Sequence, residues 1–252
     1  MKNNLIKLII IFLITINFKF TFAEEQFNFN VTEVQVSEKG NKFIGLKRGT
    51  VTTTNGITLD ADNFEFDKKS NILEASGNVI IKDSINDIII TSNDITYLKN
   101  DELIFTNSRS KAVNQNTKID ANSFKYNKKL NTLNAKGDVK VEDHIKKFVI
   151  LSEDITYYKN KEKFISKSKS EAFGDNLNIK AKEFEYDKTL NIVNAYNNVI
   201  IEDKIEELLI FTENITYLRN KEIIFTQGYT EALVQSKYNF NSKNTKLLRN
   251  EK

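Results

Sequence analysis

The chain has no cysteine and no proline, one histidine, and only 8 glycines in 252 residues. Without cysteine there is no disulfide framework to hold the fold together. With His144 alone and no thiolate to join it, a zinc-type ligand set has no members. A Ser-His-Asp arrangement is equally without support, since His144 stands where the neighbouring repeats have Ser84 and Lys204. No glycine-rich loop of the phosphate-cradling kind is present. No proline and no Gly/Ser-rich stretch marks an interdomain linker. The chain therefore reads as one continuous array, not an enzyme, with no cofactor and no metal site. Its stability has to come from sheet pairing and an apolar interior.

Charge of one sign is also missing. Residues 1–23 read as a secretory signal: Lys2 and Lys7, a short apolar run over 8–16, then Thr21-Phe22-Ala23 before Glu24-Glu25. The run is short for a span of about 20 residues, although an uncleaved anchor is the alternative. This leader holds three Lys and no acid, so the remainder has 37 − 3 = 34 Lys and Arg against 34 Asp and Glu. The exported chain is then formally neutral and lacks a basic patch for nucleic acid.

What the sequence does have is a repeat. Residues 59–81 return at 119–141 and 179–201, with Ala61, Ala121 and Ala181 in line and the interval between copies constant. Asp94-Ile95-Thr96-Tyr97 recurs at 154–157 and 214–217. A second alignment, about half a repeat on, places Ile90, Ser92, Ile95, Tyr97 and Ile104 over Leu59, Ala61, Phe64, Phe66 and Leu73. The unit is thus a hairpin of about 30 residues: strand, polar turn, returning strand. Residues 27–53 read as a degenerate first unit, residues 24–234 as one repeat domain, and 235–252 as a loose polar tail.

Alternation of period two defines one face. On the outgoing strands it carries Leu59, Ala61, Phe64 and Phe66, then Ile119, Ala121, Phe124 and Tyr126, then Ile179, Ala181, Phe184 and Tyr186. On the returning strands it carries Leu73, Ala75, Val79 and Ile81, then Leu133, Ala135 and Val139, then Val193, Ala195 and Val199. The alternate units add Ile88, Ile90, Ile95 and Tyr97; Phe148, Ile150, Ile155 and Tyr157; and Leu208, Ile210, Ile215 and Tyr217. Between Ala61 and Phe64 the phase slips by one residue, as it does at every equivalent place. A bulge or corner there keeps the apolar side facing inward on both legs. Small residues at the middle of the returning strands (Gly77, Gly137, Ser108, Ser168) suit a tight bend. The expected fold is all-β: an elongated, bent antiparallel β-jelly roll, two sheets joined along a crease and built from ~30-residue hairpin repeats.

The inward face has two readings that these residues leave open: a filled sandwich core, or an apolar trough as wide as an acyl chain. Tyr97, Tyr157 and Tyr217 either rim such a trough or belong to a core. Asp83, Asp143 and Asp203 recur at strand ends and read as turn formers rather than acid–base groups. Phe29, Val31, Val34 and Val36 at one end, and Ile223, Phe225, Ala232 and Val234 at the other, lie on terminal strands whose free edges suit assembly by strand addition.

Ala61, Phe64, Phe66, Asp67, Asn71, Leu73, Ala75, Gly77, Asn78 and Val79 closely resemble the OstA-like repeat of lipopolysaccharide-transport proteins. The second copy has Asn127 at the Asp position, and the third has Asn197 at the glycine position. The family includes the bridge protein LptA and the N-terminal periplasmic domain of LptD. The resemblance implies a periplasmic β-jelly roll that carries lipopolysaccharide acyl chains in its groove. It also implies partners: other Lpt-type bridge proteins, an outer-membrane translocon, and further copies of itself. A structural or adhesive envelope protein with a filled core is the competing reading.

Overall fold

The computed structural model describes residues 27–174 and 176–249; the signal expected over 1–23 lies outside them. Hairpin β1 (Asn28–Ser37) and β2 (Lys42–Thr52) opens the array. Next, β3 (Ile57–Ala61) and β4 (Asn63–Asp67) are two legs of one bent strand, followed by β5 (Ile72–Asp83) and β6 (Ile88–Leu98). The scheme recurs as β7 (Leu103–Phe105), β8 (Ser110–Asn114), β9 (Thr117–Ala121), β10 (Ser123–Asn127), β11 (Thr132–Asp143) and β12 (Phe148–Tyr158). It recurs again as β13 (Lys163–Ser166), β14 (Ser170–Gly174), β15 (Leu177–Ala181), β16 (Glu183–Asp187), β17 (Ile192–Asp203) and β18 (Leu208–Leu218). β19 (Ile223–Val234), β20 (Tyr238–Ser242) and β21 (Lys246–Leu248) close it. No helix among the described residues is long and apolar enough to cross a membrane.

Every strand pairing is antiparallel, and the pairings sort into two ladders. Sheet I runs through β3, β8, β9, β14, β15 and β20, with the 79–83 leg of β5 and the 88–92 leg of β6 and their equivalents. Sheet II runs through β4, β7, β10, β13, β16 and β21, with the 72–76 and 94–98 legs and their equivalents. The long strands cross from one sheet to the other, so the sheets meet along a single crease.

The crease falls where the phase slips. Pairing of β5 with β6 shifts between Ser76 and Val79, of β11 with β12 between Lys136 and Val139, and of β17 with β18 between Tyr196 and Val199. The bend is made by two successive left-handed residues, such as Gly77 (φ +79) and Asn78 (φ 48). A side chain at Gly77 would meet the Asp62 carboxylate at 2.5 Å, so both the conformation and the space call for glycine. In the third copy Asn197 (φ 66) fills that position, the residue type that tolerates it best after glycine. The small hydroxyl residues of the crease bond to one another inside it: Ser170 Oγ lies 2.9 Å from Ser152 Oγ and 2.8 Å from Ser166 Oγ.

The tail expected to be loose contains two strands. β20 pairs along Thr230 to Val234, and β21 along Ile223 to Phe225. This corrects the position of the terminal edge: Ile223, Phe225, Ala232 and Val234 are on a paired strand, and the exposed margin lies one rung further. The tail folds back because Tyr238 and Phe240 continue the alternation opposite Val234 and Ala232.

Candidate functional site

The expected inward residues do face one another. All of those on the three repeats are buried except Phe66, which is half-buried; the next most exposed is Leu208 at 7%. Val51, Ile57, Ile104, Phe164, Leu177 and Ile224 join them, and together they form one apolar cluster along the array. Rings from the two sheets touch across the interior. Phe148 of sheet I lies 4.8 Å from Tyr186 of sheet II, and Phe27 lies 4.9 Å from Phe66. Side chains this enclosed pack against one another along the array. This burial is what the filled reading of the inward face expects. The crease residues are small, but the aromatic rings of the adjoining legs take up the volume.

The side opposite the crease is different in kind. There the hairpin turns of sheet I (84–87, 144–147, 204–207) form one lip, and those of sheet II (99–102, 128–131, 159–162, 188–191, 219–222) the other. Backbone hydrogen bonds between neighbouring turns run within a lip: Ser84 N–H to Gly56 O on one, Lys128 N–H to Glu102 O on the other. What crosses is a row of buried polar side chains. Tyr126 Oη donates to Asp83 Oδ2 at 2.7 Å, Tyr157 Oη to Asn114 Oδ1 at 3.2 Å, and Tyr186 Oη to Asp143 Oδ2 at 3.2 Å. Each pair is 43 residues apart. At the first end Asn55 Nδ2 donates to Glu102 Oε2 at 2.7 Å; at the last, Arg249 Nε donates to Asp203 Oδ2 at 2.7 Å.

The aspartates have two roles. Asp83 Oδ1 accepts from the Ile85 and Asn86 N–H groups at 3.0 Å, which is the expected turn, and Oδ2 faces the other lip. Asp143 and Asp203 repeat this. The tyrosines belong to the core by ring and to the mouth by hydroxyl. Tyr157 Oη also reaches Glu162 Oε1 at 2.8 Å, and Glu102, Glu162 and Glu222 are held left-handed (φ 55, 46 and 53). Burial, and next the hydrogen bond to Asp83 or Glu162, pushes the hydroxyls of Tyr126 and Tyr157 well above the ordinary tyrosine value. For Tyr186 burial comes first and the Asp143 charge second. These groups are donors at any physiological pH. Among the described residues no cluster of His, Asp or Glu could hold a metal.

At the two ends the array stops rather than closes. Val34 and Val36 on β1 are 51% and 57% exposed, and Tyr238 and Phe240 on β20 are both 59% exposed. All four continue the inward face onto the outermost strands, whose outer edges have no partner among the described residues.

Comparison with known proteins finds a likeness for part of this architecture. Residues 46–144 match the family described as lipopolysaccharide-assembly, LptC-related. That stretch of the chain is similar to proteins of lipopolysaccharide assembly. The matched stretch runs from β2 to the end of β11, and the later units repeat it. The match names the LptC branch, where the motif resembled LptA and LptD. No curated protein matches the chain. Among solved structures it is similar to LptH of Pseudomonas aeruginosa, the LptA homologous periplasmic component of the lipopolysaccharide transport device. Identity is 18% over 56% of this chain and 81% of that one, with a TM-score of 0.24, an overlap too loose to carry argument.

Proposed function

We propose that this protein is a periplasmic component of lipopolysaccharide transport, a binding and conducting module rather than an enzyme. It takes acyl chains between its two sheets and passes them toward the outer membrane. The observation that carries this reading is one uninterrupted apolar interior along a translationally repeated array, part of which matches a lipopolysaccharide-assembly family. A repeat supplies neighbouring sites of equal depth, and transfer between them needs no chemistry. Burying a methylene stabilises by about 0.8 kcal/mol, so tails are held without polar recognition. Because the interior is filled, loading requires the sheets to part and the core rings to give way. The exposed apolar margins at β1 and β20 suit strand addition by Lpt-type partners or a second copy.

The filled interior favours a second reading, an envelope β-repeat protein whose role is structural. Site-specific photo-crosslinking in cells separates the two. A photoreactive residue at Phe64 or Ile95, both inward, should capture lipopolysaccharide, and one at Glu65, on the opposite face, should not. Equal labelling at inward and outward positions supports the structural reading.

A further inference from the structure

The interior has three boundaries, and they differ in what opening them would break. At the crease the backbone itself runs from sheet to sheet, so opening there means unfolding strands. At the ends, a tail would have to thread lengthwise through a packed row, past Phe27 and Phe66 at one end. Along the mouth, no strand pairing among the described residues joins the lips, and the contacts described above are between side chains, with one addition. Arg219 Nη2 donates across to Lys146 O at 2.9 Å, with its guanidinium 4.4 Å over the Phe148 ring.

The lips also carry apolar tips. Ile85 and Ile145 on sheet I are 67% and 64% exposed, and Leu130 and Leu190 on sheet II are 66% and 59% exposed. Each lies a few residues beyond a member of a crossing pair: Ile85 after Asp83 and Leu130 after Tyr126, then Ile145 after Asp143 and Leu190 after Tyr186. An aliphatic tip beside every second polar pair has no use to a sealed core. It is a first contact for a tail arriving from the side.

Resting on the lipid reading above, we infer that acyl chains enter sideways through the mouth and that the pairs Asp83–Tyr126, Asn114–Tyr157, Asp143–Tyr186 and Asp203–Arg249 are the latches that hold it shut. The arrangement lets one rung open while its neighbours stay closed, because each pair joins a different turn on each lip. A tail is then accommodated by local parting, with the polar end of the lipid left outside.

The test uses the full chain as produced in cells, with pyrene-labelled hexadecanoic acid as the probe and stopped-flow fluorescence as the readout. Replacing Tyr126, Tyr157 and Tyr186 together by Phe removes three latch hydroxyls and keeps the rings. Loading should speed up by roughly tenfold or more, three hydrogen bonds to buried acceptors having been lost. The chain has no cysteine, so Ile85→Cys with Leu130→Cys and Ile145→Cys with Leu190→Cys can each be tied by a reducible thiol linker. Tied lips should stop loading, and reduction should restore it. Loading at the parent rate with the lips tied means that tails come in from the ends and overturns the inference alone. No uptake by any form removes the lipid reading and the latches with it. The tied form stands independently if the triple variant folds poorly, since linking alters only exposed positions.

Discussion

At the scale of single residues, the charged groups divide by where they sit. Arg249 and Asp203 are 6% and 0% exposed at their side chains, whereas Arg48, bonded to Asp60 and Asp62 outside the crease, is 47% exposed. Removing one partner of a buried pair strands the other, so Arg249→Ala should cost about 3–5 kcal/mol in urea denaturation. Arg48→Ala should fall within about 1 kcal/mol of the parent. Near-equal losses would mean that Arg249 lies in water rather than at the mouth. The tyrosines give a pH dependence of definite sign. An unfolded tyrosine loses its proton near pH 10 or so, while burial and the facing carboxylates of Asp83, Glu162 and Asp143 hold the folded hydroxyls protonated beyond that. The cation facing Tyr186 is Arg219, which opposes this without reversing it. The unfolded state therefore binds fewer protons above that pH, and stability falls as pH rises. Urea midpoints should be level from pH 8 to about 9.5 and drop above 10, in step with the phenolate absorbance. The Tyr→Phe triple variant should show a shallower drop. Half of this site is readable in the sequence. The recurrence of Asp83, Asp143 and Asp203 is plain there, and so is their role in the turns. Their second oxygen meets a hydroxyl 43 residues away, on a turn of the other sheet, and no local pattern encodes a contact across a mouth.

At the scale of elements, the strands and their bends were legible because two signals agreed. Period-two alternation set the face, and the slip at Asp62 and its equivalents set the corner where β3 ends and β4 begins. The closing strands were not legible. β20 offers only Tyr238 and Phe240 among asparagines, and β21 is three residues long, too little alternation to stand out from a polar tail. They nevertheless cover both legs of β19 and bring in Arg249. Ending the chain at Val234 should leave Asp203 without its guanidinium and bare the outer edge of both legs of β19, which stay paired to β18 on the other side. Such a truncation should melt at a lower temperature and self-associate through the bared edge, as light scattering would show. A monomer of parent stability would mean that the last two strands are ornamental.

At the scale of the whole molecule, the interior is a property of the repeat rather than of any one unit. Each unit packs on its neighbours in the sheets and through the shared core, as in solenoid arrays, so stability is close to a sum over units and their junctions. One full repeat, such as 119–178, brings the chain back to the same sheet, the same face and the same lip. Joining Lys118 directly to Ile179 therefore puts Ile179 where Ile119 stood, opposite Ala112, and restores every register downstream. The shortened chain should fold, lose about 19 Å of length by small-angle scattering at ~4.8 Å per strand, and unfold in one step at lower urea. It also rejoins Asp83 on one lip to Tyr186 on the other, and so renews the mouth contacts at the junction. Deleting half a repeat is the sharper control, since it aligns Leu59-type with Ile90-type units. Those units differ at the crease, where one bends at a left-handed Gly77-Asn78 and the other breaks over residues 106–109. The full-repeat deletion should hold its cooperativity and the half-repeat deletion lose some of it. If both unfold alike, units and not pairs of units are the building block, and the alternation of the two crease types serves something other than register.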